Sequence, residues 1–153
     1  MLTGLSLLAA GAVGTGLFVE RLADLREART EARFQHEGEI IKIEGRDVHV
    51  VVRGTGPDLV LIHGAGGNAR DFTYRFADQL TDRYRLFIVD RPGLGWSEGL
   101  TPTRGFRALT DTPRAQARQL ADAVTQLGAT APILLGHSYG GAVAMGWALD
   151  APT

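Results

Sequence analysis

The sequence predicts an α/β fold: parallel strands with helices on both faces, entered through an N-terminal hairpin and preceded by an apolar helix. Three observations carry this. Short apolar runs, Asp58-Leu-Val-Leu-Ile62, Leu86-Phe-Ile-Val-Asp90 and Ala131-Pro-Ile-Leu-Leu135, alternate with stretches of helical character. Alternation of that kind with short connections produces a parallel sheet covered on both faces. A glycine-rich loop, His63-Gly64-Ala65-Gly66-Gly67-Asn68, follows the first of these runs. A tight serine-bearing turn then joins the last run to an apolar helix beginning near Gly141.

Taken in order, residues 1–19 come first. Leu2 to Val19 is free of charge and rich in Leu, Ala and Gly, which meets the lower length limit for a membrane span. Ala10 with Gly14 and Ala12 with Gly16 provide small-residue spacing for close helix packing. The alternative is a cleaved signal peptide, against which count the absence of Lys or Arg before the run and of a clear A-x-A site after it. Residues 1–19 are therefore expected to form a single-pass anchor, with membrane contact through residues 2–19. Arg21, Arg26, Arg29 and Arg33 would place the downstream domain in the cytoplasm by the positive-inside rule. Residues 20–37 mix acids and arginines with Leu22, Leu25, Ala28 and Ala32 at helical spacing, the pattern of a solvated juxtamembrane helix.

The domain proper is expected over residues 38–153. Glu39-Ile-Ile-Lys-Ile43 and Asp47-Val-His-Val-Val-Val-Arg53 flank Glu44-Gly45-Arg46, a hairpin, which Gly54-Thr-Gly-Pro57 closes. A first parallel unit runs from Leu59 through a helix from near Phe72 to Leu80 into the strand at Arg85 to Asp90. The polar stretch Gly99 to Thr112 leads to a helix from about Pro113 to Leu127. Proline suits its first turn, and Gly128 ends it.

The chemistry is concentrated at Gly136-His137-Ser138-Tyr139-Gly140, a G-x-S-x-G between a strand and a helix. Such a turn lifts a serine hydroxyl above the end of a sheet. Glycines on either side are needed because the turn is strained and the two backbones approach closely. With the loop at His63 to Asn68 and the later segment Asp90-Arg-Pro-Gly-Leu-Gly-Trp-Ser97, this set of landmarks resembles the α/β-hydrolase superfamily in its serine-nucleophile branch. The resemblance covers about residues 38 to 150. It implies that Ser138 attacks an ester-like acyl substrate, a small molecule. The oxyanion would be held by backbone N–H groups of Tyr139 and of Ala65, with Gly66 the next choice for the second donor. It implies no cofactor and no metal. A serine at the nucleophile position argues against epoxide hydrolases and haloalkane dehalogenases, which use a carboxylate there. Esterase, lactonase, C–C hydrolase and acyltransferase are left unseparated.

A dinucleotide site competes for the same residues. Gly64-Ala-Gly66-Gly-Asn-Ala69 fits G-x-G-x-x-G/A after a strand, with Asp90 where a ribose-binding carboxylate is expected. Against it, His63 breaks the apolar strand before the first glycine, Asp90 runs into a Pro-Gly turn, and the serine turn has no role in such a domain.

The sequence also lacks something. In this family the catalytic acid and histidine follow the serine, yet the 15 residues after Ser138 hold one acid, Asp150, and no histidine. His63 and His137 read as loop-shaping residues, His36 and His49 as solvated ones. Without a base a serine hydroxyl is a weak nucleophile. The chain is therefore expected to be the N-terminal portion of a serine hydrolase, inactive alone, with its base beyond residue 153. The non-enzyme alternative is a membrane-tethered binding module. With later strands missing, the strand at Ile133 to Leu135 should be an exposed apolar edge, leaving Val143, Met145 and Trp147 only partly covered.

Composition narrows the rest. A net charge of −1 gives no basic field for nucleic acid. The absence of cysteine excludes disulfides, thiolate catalysis and Cys-based metal sites.

Overall fold

A computed structural model describes residues 14–26, 29, 36–101 and 111–150. The chain divides into two compact units, residues 1–36 and 37–153.

In the first unit, residues 14–26 form helix α1, exposed throughout. Its first six residues are uncharged, but Glu20, Arg21, Asp24 and Arg26 then place a charge on every turn. Six residues make about 9 Å of helix, against a hydrocarbon layer of about 30 Å. Among the described residues no helix is long and apolar enough to cross a membrane. This overturns the expected single-pass anchor and the membrane localisation drawn from it. Residues 2–13 of the expected span lie outside the described residues.

The second unit is built on five strands: β1 (Glu39–Ile43), β2 (Arg46–Arg53), β3 (Asp58–Ile62), β4 (Arg85–Val89) and β5 (Ile133–Gly136). Their order is β1-β2-β4-β3-β5. β1–β2 and β2–β4 are antiparallel, whereas β3 pairs in parallel with both β4 and β5. The hairpin therefore docks on the outer edge of a parallel unit and makes the sheet mixed. The turn between β1 and β2 has φ of 49° at Glu44 and 80° at Gly45. Two successive positive φ angles are what a two-residue hairpin turn needs to match strand twist.

Alternate residues of the strands point to two cores. Val48, Val50, Val60, Ile62, Phe87 and Val89 face one layer, with Leu120, Ala123, Val124 and Val143 over them. Val51, Leu59, Leu61, Leu86 and Ile88 face the other, covered by Ala69, Phe72 and Ala77. β3 lies at the centre and is buried along its whole length.

The second layer departs from the expected single helix at 72–80. A short helix α2 (Arg70–Thr73) is followed by a separate 3-10 turn at Ala77–Gln79. Phe72 and Ala77 are both buried in the same core. Five residues apart, they would sit about 140° from one another around one regular helix. Breaking the winding lets both face the sheet.

On the opposite face, α3 (Pro113–Gln126) opens with Thr112 Oγ1 accepting from the Ala115 N–H at 3.2 Å, and Pro113 occupies its first turn. It buries Ala117, Leu120, Ala123 and Val124, the stripe of an amphipathic helix. α4 (Tyr139–Asp150) packs beside it. A Cβ on Gly146 would lie 3.1 Å from Arg114 Cα, so the two helices meet almost backbone to backbone. Asp150 closes the pair by accepting from Arg114 Nε at 2.6 Å and Arg118 Nε at 3.0 Å. The hydrogen bond from Arg114, with help from Arg118, holds its carboxyl at about 2.

As expected, β5 is an edge strand among the described residues: Ile133 is 52% exposed, and Met145 on α4 is 68% exposed. Val143 departs from expectation. It is fully buried because it points into the core shared with α3 and β3, and Trp147 is half-buried against the same core.

Candidate active site

β5 runs in parallel with β3 and ends at Gly136, and His137 N–H extends the ladder by donating to Ile62 O at 2.9 Å. The chain then reverses through Ser138, whose φ of 53° is left-handed, and Tyr139 opens α4. A non-glycine residue held at positive φ stores strain that the surrounding structure must impose. The imposition is visible in the two flanking glycines. A Cβ on Gly136 would overlap the Gly140 carbonyl and the Gly141 nitrogen. A Cβ on Gly140 would overlap Ile62 O and come within 2.7 Å of His63 O. The turn is thus pressed onto the C-terminal end of β3 by contacts that leave no room for a side chain.

The loop after β3 lies alongside. A Cβ on Gly64 would lie 3.0 Å from His137 Nδ1 and 3.5 Å from Ser138 Cβ. Ser138 and Ala65 are exposed, and Tyr139 is half-buried. Among the described residues the backbone N–H groups of Ala65 and Tyr139 have no hydrogen-bond partner, and neither has Ser138 Oγ. The three predicted site residues therefore share one end of the sheet, with unpaired donors next to a hydroxyl.

Beneath the loop is a buried polar layer. His63 Nε2 accepts from the Arg91 backbone N–H at 2.9 Å, which assigns the proton to Nδ1, donating to Gly64 O at 2.9 Å. Burial pushes the His63 pKa down and the nearby Arg91 charge adds to this, so the ring is neutral with both nitrogens engaged. It shapes the loop, as the sequence implied. Arg91 is only 3% exposed. It donates to His63 O (3.0 Å), Gly64 O (2.6 Å) and Gln116 Oε1 (2.9 Å) and lies 4.7 Å from the Tyr139 ring centre.

Asp90 is 1% exposed. One of its oxygens accepts from Ala69 N–H at 2.6 Å, the other from Trp96 N–H at 3.0 Å and from the His49 ring at 2.7 Å. His49, expected to be solvated, is instead buried. Burial works to lower its pKa, but the bonds to Asp90 and to the Glu37 carbonyl outweigh this and leave it raised. Burial likewise works to raise the Asp90 pKa, and the bonds from His49, Trp96 and Ala69 bring it below its ordinary value. Each ring nitrogen of His49 faces an acceptor, Asp90 Oδ2 and the Glu37 carbonyl, so both donate and the pair is an imidazolium–carboxylate ion pair. Ser97 closes the group, its hydroxyl accepting from His49 N–H at 2.9 Å and donating to Asp90 O at 2.8 Å. With both oxygens committed internally, Asp90 has nothing to offer a ribose, which removes the chief support of the dinucleotide reading.

Asp150, the one acid after the serine, stands apart. It closes the far end of a 12-residue helix, about 18 Å from the serine turn at 1.5 Å per residue. His36 and His137 are exposed. Among the described residues no His, Asp or Glu cluster is arranged to hold a metal. Sequence reasoning missed Arg91 and His49. A signal for the first was present: Asp90-Arg91 directly follows the apolar run Leu86-Phe-Ile-Val89, a position where charges are buried and must find partners.

Residues 59–152 match the family described as "Alpha/beta hydrolase family". The magnesium-chelatase 30 kDa subunit of Rhodobacter capsulatus is 35% identical over 98 residues, which cover 63% of this chain and 32% of that protein. The pimeloyl-[acyl-carrier protein] methyl ester esterase of Chromobacterium violaceum is 33% identical over 106 residues, covering 69% and 37%. The solved structure of an esterase from Exiguobacterium antarcticum aligns with a TM-score of 0.62 at 29% identity, covering 74% of this chain and 40% of that one. The chain spans about a third of the length of the curated relatives it matches.

Proposed function

The chain belongs to the alpha/beta hydrolase family, and from that premise we propose that it carries the nucleophile and oxyanion donors of a serine-dependent hydrolase acting on an ester-like carbonyl. The observation that carries the proposal is Ser138. It is the only residue of the turn held at positive φ, it is exposed, and it adjoins the unpaired N–H of Tyr139 and lies beside the loop that carries that of Ala65. In this reading Ser138 Oγ attacks the acyl carbon. The carbonyl oxygen gains negative charge and is taken up by the N–H of Tyr139 and of Ala65. Donors fixed before the reaction stabilise that charge without reorganising, and removing one typically costs about 10²–10³ in rate. Collapse of the tetrahedral intermediate expels the alcohol and leaves an acyl-serine, which water cleaves.

Proton transfer needs a base. His63 is buried and fully bonded, His49 is paired with Asp90, Asp150 is held by two arginines, and the exposed His137 makes no hydrogen bond to Ser138, so none of the four serves. We assign the base and its carboxylate to polypeptide outside residues 1–153, within the two thirds of the relatives' length that this chain does not span. The ester class draws support from the esterase relatives, and the serine nucleophile separates it from the carboxylate-nucleophile branch of the family.

A second reading, a binding module without turnover, is favoured by the unpartnered Ser138 hydroxyl. Hydrolysis of a nitrophenyl ester by the 153-residue chain should not exceed that of Ser138→Ala. Serine-dependent steady-state turnover would show that a base lies within the chain and would refute the assignment just made.

A further inference from the structure

We propose that Arg91 is a positioning residue for the oxyanion donor at Ala65, acting through the single peptide unit that joins Gly64 to Ala65; the inference rests on the reading of Ser138 and its oxyanion donors given above. The geometry that supports it is one of direction. In a trans peptide the C=O and N–H point opposite ways. Whatever fixes the Gly64 carbonyl therefore fixes the Ala65 N–H. Three donors converge on that carbonyl: Arg91 Nη2 at 2.6 Å, His63 Nδ1 at 2.9 Å and Gly67 N–H at 3.3 Å. Arg91 also sets His63, since its backbone N–H holds Nε2 and its Nε holds the His63 carbonyl. One residue thus grips two successive carbonyls of the loop and orients the imidazole that grips the second of them again.

The consequence is electronic as well as geometric. Donation to a peptide carbonyl polarises the same peptide's N–H, and hydrogen bonds in a chain strengthen one another in a low-dielectric setting. Here the first donor is a buried guanidinium, and charge-assisted bonds are the strong ones. Its charge is not cancelled locally. Its acceptors are two backbone carbonyls and the Gln116 amide, and among the described residues it forms no ion pair. Asp90, its neighbour in sequence, spends both oxygens elsewhere. The guanidinium also stacks on the ring of Tyr139, the residue that supplies the other proposed donor. A buried, unpaired cation beneath both donors favours an anion above them. Gln116 fixes the third corner of the fork and ties the arrangement to α3. Lysine could carry the charge but not the fork.

The first test uses the 153-residue chain, with Arg91→Gln and Arg91→Lys. Loss of the donor should move the Gly64 carbonyl carbon and the Ala65 amide nitrogen upfield together in NMR spectra, and Lys should restore part of the shift. A merely structural role would broaden signals across His63 to Asn68 without that paired displacement; unchanged Gly64 and Ala65 shifts in a folded Arg91→Gln would overturn the proposal. Phenylboronic acid, which forms a tetrahedral adduct with an active serine, supplies the second readout, in the protein that also carries the downstream part of the fold and the base assigned to it. Arg91→Gln should weaken its binding about tenfold, as expected for an oxyanion donor impaired but not removed, and Ser138→Ala should abolish it. Equal affinities for that protein with and without Arg91→Gln would also overturn the proposal. If that protein without substitution forms no adduct, the reading of Ser138 fails, and the carbonyl shifts alone decide the role of Arg91. Should Arg91→Gln fail to fold, scalar coupling across the Arg91 Nη2 to Gly64 carbonyl bond in the unsubstituted chain decides: its detection supports the proposal and its absence overturns it.

Discussion

His49→Gln is the sharpest probe of how the site is held in place. The imidazole lies against the Asp90 carboxylate at 2.7 Å, and both residues are excluded from water. Removing the histidine charge leaves Asp90 buried, still bonded to Ala69 and Trp96 N–H but without its counter-ion. Breaking a buried pair from one side typically costs 3–5 kcal/mol. The two remaining donors point to the lower end, about 3 kcal/mol, a large share of the 5–15 kcal/mol that holds a typical domain. The loss must depend on pH. The folded pKa of His49 is raised, so its contribution is complete below the unfolded value and disappears as pH rises through the folded one. The folded pKa of Asp90 is lowered, so its contribution is complete above the unfolded value and disappears as pH falls through the folded one. The gap between the native chain and His49→Gln should therefore be widest between those limits and shrink towards pH 9. His63, with its lowered pKa, destabilises the fold as pH falls below its unfolded value, but it does so in both proteins and cancels from the difference. Urea unfolding at about pH 6 and 9, with unchanged m-values, measures the gap. A gap that stays constant across that range would refute the ion pair.

Three further outcomes follow from the same geometry. Gly140→Ala should destabilise by about 3 kcal/mol, the upper range for overpacking, because the new methyl group meets the backbone of β3 rather than a movable side chain; thermal unfolding checks this, and a Tm equal to that of the native chain would contradict it. Ser138→Gly should raise stability by about 1 kcal/mol by releasing left-handed strain, and a loss measured by urea unfolding would show that the turn is not strained. The β5 edge should promote concentration-dependent association that Ile133→Lys reduces, as read by sedimentation velocity; a monomer at all concentrations in the native chain would count against it.

The elements legible in the sequence were those with a local cause. β3 declared itself by an uninterrupted apolar run, α3 by Thr112, Pro113 and Gly128 at its ends, and the serine turn by two glycines that the packing forbids to carry a side chain. What escaped was decided across the sheet. His49 looked solvated because a hairpin position does not reveal that Asp90, 41 residues later, will stand 2.7 Å away. Arg91 acquired its role only when β3, β4, α3 and α4 converged on one guanidinium. The break between α2 and the 3-10 turn came from the need to bury Phe72 and Ala77 together, which a regular helix cannot meet. The apolar N-terminal run suggested an anchor by composition, whereas the described helix fills with charge from Glu20 onward.

The central claim is that Ser138 is a nucleophile flanked by waiting oxyanion donors. Fluorophosphonate treatment of the protein carrying these residues together with the downstream part of the fold, followed by peptide mass spectrometry, tests it most directly. The account predicts a single phosphonylated residue, Ser138, and no labelling after Ser138→Ala. A folded, unlabelled Ser138 would contradict it and leave the binding module as the better description.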